Sequence, residues 1–359
     1  MFTRRTVLTG LAATPFAGLI PAARAAAPLK IAFVYPSPVG DAGWAYQHEL
    51  GRKAMMSALG DKVSSTYVES VSEEGADAER VIRKLATDGN GMIYTVSFGY
   101  MNPTVKVASQ FPKTKFEHAT GYKRAANLAT YSARYYEGRY LAGIIAGSMS
   151  KSGVIGYVAA FPIPEVVQGI NATLAGARTV NPNATIKVVF VSSWFDPGKE
   201  RAAAETLMSQ GADFVTHHTD STAVPQTGEE KGVPTISYNS DMSKYGPKTC
   251  MTGVTHIWGK YYTDRVTAAL AGTWHSEDTW GGVGQGMIAL APLNPAVPAD
   301  ARAKVDAATA KIADGSLKPF AGPMKDQSGT TKIPAGSSLS DGDILSMNWF
   351  ADGVQGKLG

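Results

Sequence analysis

Residues 29–59, "LKIAFVYPSPVGDAGWAYQHELGRKAMMSAL", decide the fold. An apolar run of seven residues, 29–35, is short enough for a buried strand, and 44–59 then repeats its apolar positions at helical spacing. Between them lies Gly40-Asp-Ala-Gly-Trp44, a turn rich in glycine that ends on a large aromatic ring. A tryptophan beside a turn caps a local core as readily as it lines a ligand site, so the rest of the chain has to choose.

Working outward, the same strand-then-helix unit recurs: strand 65–71 with helix 76–87, and strand 92–96 with helix 103–111. After "LATYSARYYEGRYLAGIIAGSMSKSG" it restarts, with strands at 154–159, 186–191, 214–216 and 234–238 and helices at 164–179, 198–210 and 223–231. A further strand is expected at 251–255, then helices at 258–271 and 299–313. Alternating β and α elements predict parallel sheets covered by helices on both faces. Two such series predict an α/β fold of two doubly wound lobes. Lobe 1 is expected over 29–128 plus 257–287 and lobe 2 over 132–254 plus 293–359, with crossings near 129–132, 251–256 and 288–292.

The first 25 residues read as an export signal: Arg4-Arg5, an apolar segment, and the small-residue site Ala23-Arg24-Ala25, with no acidic residue. The arginine pair fits the twin-arginine type, although Sec signals also start basic. Pro15 and Pro21 interrupt the apolar segment, which falls short of the ~20 residues that span a bilayer. The single cysteine, Cys250, leaves no internal disulfide and no lipid-bearing cysteine at the cleavage site, so a soluble, untethered periplasmic monomer is expected. The chain carries 34 basic and 30 acidic residues; Arg4, Arg5 and Arg24 belong to the signal, leaving 31 against 30. That balance offers no electrostatic case for nucleic acid as a partner.

Ligands of open parallel sheets sit at the carboxyl ends of strands. The residues there are Gly43 and Trp44, Ser97 and Phe98, Phe161, Trp194 and Phe195, His217 to Asp220, and Asn239 to Asp241. Aromatic faces mixed with uncharged hydrogen-bonding groups suit a flat heteroaromatic ligand. Each polar member can equally be a turn or helix cap.

Four stretches in order, Asp41-Ala-Gly-Trp44, "EGRYLAGIIAGSMSKSGVIGYVAAFPIPEVVQGINATLAGAR", "WFDPGKERAAAETLMSQGAD" and "GVPTISYNSDM", resemble the basic membrane protein family of ABC importer substrate-binding proteins, which includes purine nucleoside receptors. The likeness runs over about 29–292 and implies a fold of the type I periplasmic binding protein kind, no catalysis and no cofactor. It implies that Trp44 takes the place of a ring-stacking phenylalanine and that Trp194 lies at or beside the second stacking position. The departures matter too. Asn239 stands where nucleoside-binding members keep an aspartate for the ribose, His256 replaces a lysine, and another lysine is lost around Gly284. Loss of these charges points to a free purine nucleobase, adenine or a close relative, delivered to a membrane permease. Ser97, Asp220, Asn239 and Asp241 are the candidates for reading its edge.

Other classes compete. A nucleoside, a sugar or another small polar solute would use the same fold, and Arg134 is the candidate carboxylate partner for an amino acid. His217-His218 with Asp220 suggests a metal only weakly, since His48, His118, His256 and His275 are scattered. Gly282-Val-Gly-Gln-Gly286 resembles a dinucleotide fingerprint but opens no helix, which favours a turn over an enzyme's phosphate loop.

Overall fold

The computed structural model describes residues 27–358, together with Met1. Apart from Met1, the export segment expected over residues 1–25 lies outside the described residues. Among those described, no helix is long and apolar enough to cross a membrane.

The chain opens with β1 (Leu29–Val34), α1 (Trp44–Leu59), β2 (Val63–Val68), α2 (Asp77–Thr87), β3 (Met92–Thr95), α3 (Met101–Ala108), β4 (Lys115–Ala119) and β5 (Leu128–Ala133). It continues through α4 (Tyr135–Met149), β6 (Val154–Ala159), α5 (Pro164–Arg178), β7 (Thr185–Phe190), α6 (Pro197–Ser209), β8 (Phe214–His218), α7 (Ala223–Lys231), β9 (Thr235–Asn239) and β10 (Cys250–His256). Then come α8 (Gly259–Ala271), β11 (Asp278–Gly281), β12 (Ile288–Leu290) and α9 (Ala299–Ala313), and a tail of β13 (Met324–Lys325), β14 (Thr331–Ile333), α10 (Asp341–Leu345) and β15 (Val354–Gln355).

One sheet has the order β11-β5-β4-β3-β1-β2 and is parallel throughout. The other has the order β12-β10-β9-β8-β6-β7-β15, with β12 alone antiparallel to its neighbour. β3, β8 and β9 are buried at every residue, because helices cover both faces of a parallel sheet. Two doubly wound α/β lobes result.

The chain changes sheets later at the first two crossings, and earlier at the third, than the apolar pattern predicts. Residues 129–132 belong to β5, 251–256 to β10 and 288–290 to β12, so the crossings fall at Arg134, at Ile257-Trp258 and over 282–287. The reason at the first crossing is β4. Its sequence KFEHA carries Glu117 and His118 and does not read as a strand, yet both are buried. Glu117 accepts from Tyr261 Oη (2.6 Å), Arg265 Nε (2.6 Å) and Trp274 Nε1 (2.7 Å), and His118 Nδ1 pairs with Thr95 Oγ1 (2.8 Å). Three donors satisfy Glu117 inside the sheet, whereas His118 keeps its Nε2 without a partner among the described residues. The glycine run over 282–286 forms the third crossing as a turn, with Gly286 at φ 69°.

In the second lobe α4 lies tightly on α5. A Cβ on Gly143 or Gly176 would run into the carbonyls of Thr173 and Tyr140, so glycine there is what allows the two backbones to touch.

Candidate functional site

The carboxyl ends of β1 and β3 face those of β6, β8 and β9, and a small pocket lies between them. Lobe 1 contributes Pro36, Trp44, Ser97, Phe98 and Thr120; lobe 2 contributes Ile163, Glu165, Trp194, His218, Asp220, Tyr238 and Asn239. A wider cleft adjoins it, sharing Phe98, Thr120, Ile163 and Glu165.

Of the residues singled out from sequence, Trp44, Ser97, Phe98, Trp194, His218, Asp220 and Asn239 therefore line one cavity. Trp44 starts α1, and its indole Nε1 donates to the Val96 carbonyl (2.9 Å), which fixes the ring against its own lobe. Trp194 follows β7, packs edge-on to Phe161 at 5.1 Å between ring centroids, and donates from Nε1 to Glu73 Oε2 (3.0 Å). Glu73 belongs to lobe 1, and its other oxygen accepts from the Ser97 hydroxyl and from the Gly99 N–H (2.8 Å).

Gly43 lies beside the cavity and acts through its backbone. At φ 92° its N–H donates to Ser240 Oγ (2.8 Å) across the cleft, and a Cβ there would lie 2.5 Å from the Asp220 carbonyl oxygen. His256 stands behind the wall, 3.2 Å from Asn239 Oδ1. Phe195 and Asp241 do not line the cavity. Phe195 is 42 % exposed, and Asp241 caps a turn by accepting from the Ser243 N–H (2.9 Å). Neighbouring loop residues beyond a strand face different ways, so the true lining residue in each case, Trp194 or Asn239, takes the place while its neighbour turns outward.

Asp220 is the polar centre. Oδ1 accepts from Asn239 Nδ2 (2.6 Å) and Oδ2 from the Ser37 hydroxyl of lobe 1 (3.4 Å). Burial, reinforced by the nearby Glu200 carboxylate, holds its carboxyl well above the usual aspartate range. Asn239 sits in the left-handed region at φ 68°, a conformation asparagine tolerates better than most residues.

Sequence reasoning did not find Glu165 or His218 as a pair. Glu165 enters from the first turn of α5 and His218 from the end of β8, with Oε1 and Nε2 3.3 Å apart. Burial pushes the Glu165 carboxyl up to about 8 and the His218 ring well down. His218 Nδ1 is buried without a partner, and its ring lies 4.2 Å from that of Tyr238. His217, beside it in sequence, turns instead towards Thr219, 3.1 Å away. Among the described residues no three His, Cys, Asp or Glu side chains are gathered to hold a metal ion.

Further contacts across the cleft hold the lobes together. Lys244 and Tyr245 of lobe 2 both reach Asp41 at the rim, and Gln47 Nε2 donates to the His256 carbonyl (2.7 Å). The structure is thus a closed one, with aromatic rings from both lobes enclosing a polar edge.

The chain is similar to several known proteins. A purine-binding protein of Brucella abortus is 50 % identical over 337 residues, 94 % of this chain and 96 % of that one. A Haloferax volcanii protein, named as a candidate glucose-binding protein of an ABC transporter, is 36 % identical over 92 % of this chain and 81 % of its own. Among solved structures, an ABC transporter solute-binding protein of Aeropyrum pernix matches with a TM-score of 0.71 at 20 % identity, over 82 % of this chain and 94 % of that one, a likeness of fold. The model of the Bmp family, described as ABC transporter substrate-binding protein PnrA-like, matches residues 29–317, and the chain belongs to that family.

Proposed function

We propose that this substrate-binding protein captures a purine nucleobase, adenine or a close relative, between Trp44 and Trp194, and hands it to the permease of an ABC importer. The observation that carries the reading is the pocket itself: one tryptophan from each lobe, with Asp220 and Asn239 lining the same cavity as hydrogen-bonding groups. Planar rings stack on aromatic faces, and a few fixed polar groups select among them. The kinship with a purine-binding protein over nearly the whole chain supports the same ligand class.

A free base suits the site better than a nucleoside. Asn239 and His256 are bonded to one another and carry no charge to hold ribose hydroxyls. A ligand touching both lobes binds the closed state more tightly than the open one and so shifts the protein towards closure. Closure is then the signal a permease can recognise, and no chemical step is needed.

The test is calorimetry on protein stripped of ligand by denaturation and refolding, with adenine, guanine, xanthine, adenosine and glucose. Adenine should bind more tightly than adenosine and glucose. Tighter binding of glucose, or silence towards every purine, would reject the reading. Delivery is checked by base uptake into vesicles carrying the cognate permease, which should require the protein.

A further inference from the structure

Trp258 lines no part of the pocket, yet one hydrogen bond from it sets the direction of a chain that ends inside. Its side chain is buried at the second crossing, and its indole N–H, which can only donate, points at His256 Nδ1 (2.5 Å). Nδ1 must therefore be the bare nitrogen. Burial keeps the imidazole neutral, pushed down to about 3, so its one proton is on Nε2. That N–H faces Asn239 Oδ1 (3.2 Å), which fixes the amide with its nitrogen towards Asp220 Oδ1 (2.6 Å). Turning the amide over would set two donors against each other at one end and two acceptors at the other. The other rings around His256, those of Trp44, His48 and Tyr135 at 5.0, 5.3 and 5.7 Å between centroids, make no hydrogen bond to its nitrogens and offer no competing instruction.

We infer that Trp258 is a positioning residue for specificity: through His256 and Asn239 it holds Asp220 Oδ1 as an acceptor, leaving any proton on this carboxyl to Oδ2, so the pocket selects a ligand that presents an N–H at that edge, an amino-substituted purine over its oxo counterpart. This rests on the purine reading given above. The polarity of the chain itself does not, since it exists without ligand.

Two measurements on the full chain separate these. Long-range proton–nitrogen NMR of the ligand-free protein should show His256 with a bare Nδ1 and a protonated Nε2, and Trp258→Phe should lose that signature. Calorimetry with adenine and hypoxanthine should show adenine favoured, and Trp258→Phe should narrow the ratio roughly tenfold, the order of one unmatched hydrogen-bonding group. A proton on Nδ1 in the unsubstituted protein, or an equal loss of both affinities in the variant, would overturn the inference. Should Trp258→Phe not fold, His256→Phe takes its place. Without the His256 Nε2–H the Asn239 amide is free to turn over, so the adenine-to-hypoxanthine ratio should narrow, and equal losses again count against the chain. If neither base binds any variant, the purine reading fails while the nitrogen shifts still decide the proton's position.

Discussion

Trp194 of the second lobe and Glu73 of the first are joined by a 3.0 Å hydrogen bond across the cleft. The same carboxylate binds Ser97 and Gly99 of its own lobe, so it couples the placement of Trp194 to closure. Glu73→Ala removes one bond made only when the lobes are shut, that from Trp194, and two that hold Ser97 and Gly99 in place within the first lobe. Hydrogen bonds to a charged group are worth about 1.5–3 kcal/mol each, so ligand affinity should fall tenfold or more by calorimetry. Affinity within twofold of the original would show that closure does not depend on this carboxylate.

Trp44→Ala deletes the ring that faces the pocket from the first lobe. Aromatic pairing contributes ~0.5–1.5 kcal/mol beyond buried area, and the lost area adds to it, so adenine should bind at least tenfold more weakly. Trp44→Phe should recover most of this loss. A variant in which alanine binds as well as phenylalanine would place the ligand elsewhere.

Gly43→Ala places a methyl group 2.5 Å from the Asp220 carbonyl and at a backbone φ that side chains disfavour. The clash falls on the closed arrangement alone, the strained backbone on open and closed forms alike. Small-angle scattering with saturating ligand should show the variant remaining more extended than the original. Full compaction of the variant would contradict this.

Stability should depend on pH from two directions. Burial holds the rings of His48, His118, His217, His218 and His256 below their ordinary value of 6.5, His118, His217 and His256 at about 3. The unfolded chain then binds more protons, so the stability these rings contribute is complete above 6.5 and is lost as pH falls towards 3, by about 1.4 kcal/mol per pH unit for each. Glu165 runs the other way. Its folded value of about 8 exceeds 4.5, so its contribution is present below 4.5 and declines as pH rises to 8. Thermal melts between pH 4 and 9 should show a steep acid limb. Glu165→Gln should flatten the slope between 4.5 and 8, and an unaltered profile would mean the carboxyl titrates normally.

Much of the architecture was legible because buried strands and amphipathic helices leave different spacings in sequence. Trp44, Ser97, Phe98, Trp194, Asp220 and Asn239 were legible for a further reason: parallel sheets put strand ends on one side. The pairing of Glu165 with His218 was not, since it depends on how α5 is set against β8. Glu73 lies in the polar stretch "SEEGADAER", where nothing separates it from solvated charges. Phe195 and Asp241 misled because sequence gives proximity to a site but not the direction of a side chain in a loop. Strand β4 was hidden by Glu117, whose partner Arg265 lies 148 positions away.

The contacts that span the cleft also govern timing. With Ser37, Asp41, Gly43 and Glu73 of the first lobe all bonded to residues of the second, the lobes cannot part without breaking these contacts together. Escape then waits on the door rather than on the grip. Different ligands should leave at similar rates even when their affinities differ, with the difference expressed in how readily each draws the lobes shut. A partner that pries apart the Asp41 rim would set the residence time without touching the ligand at all.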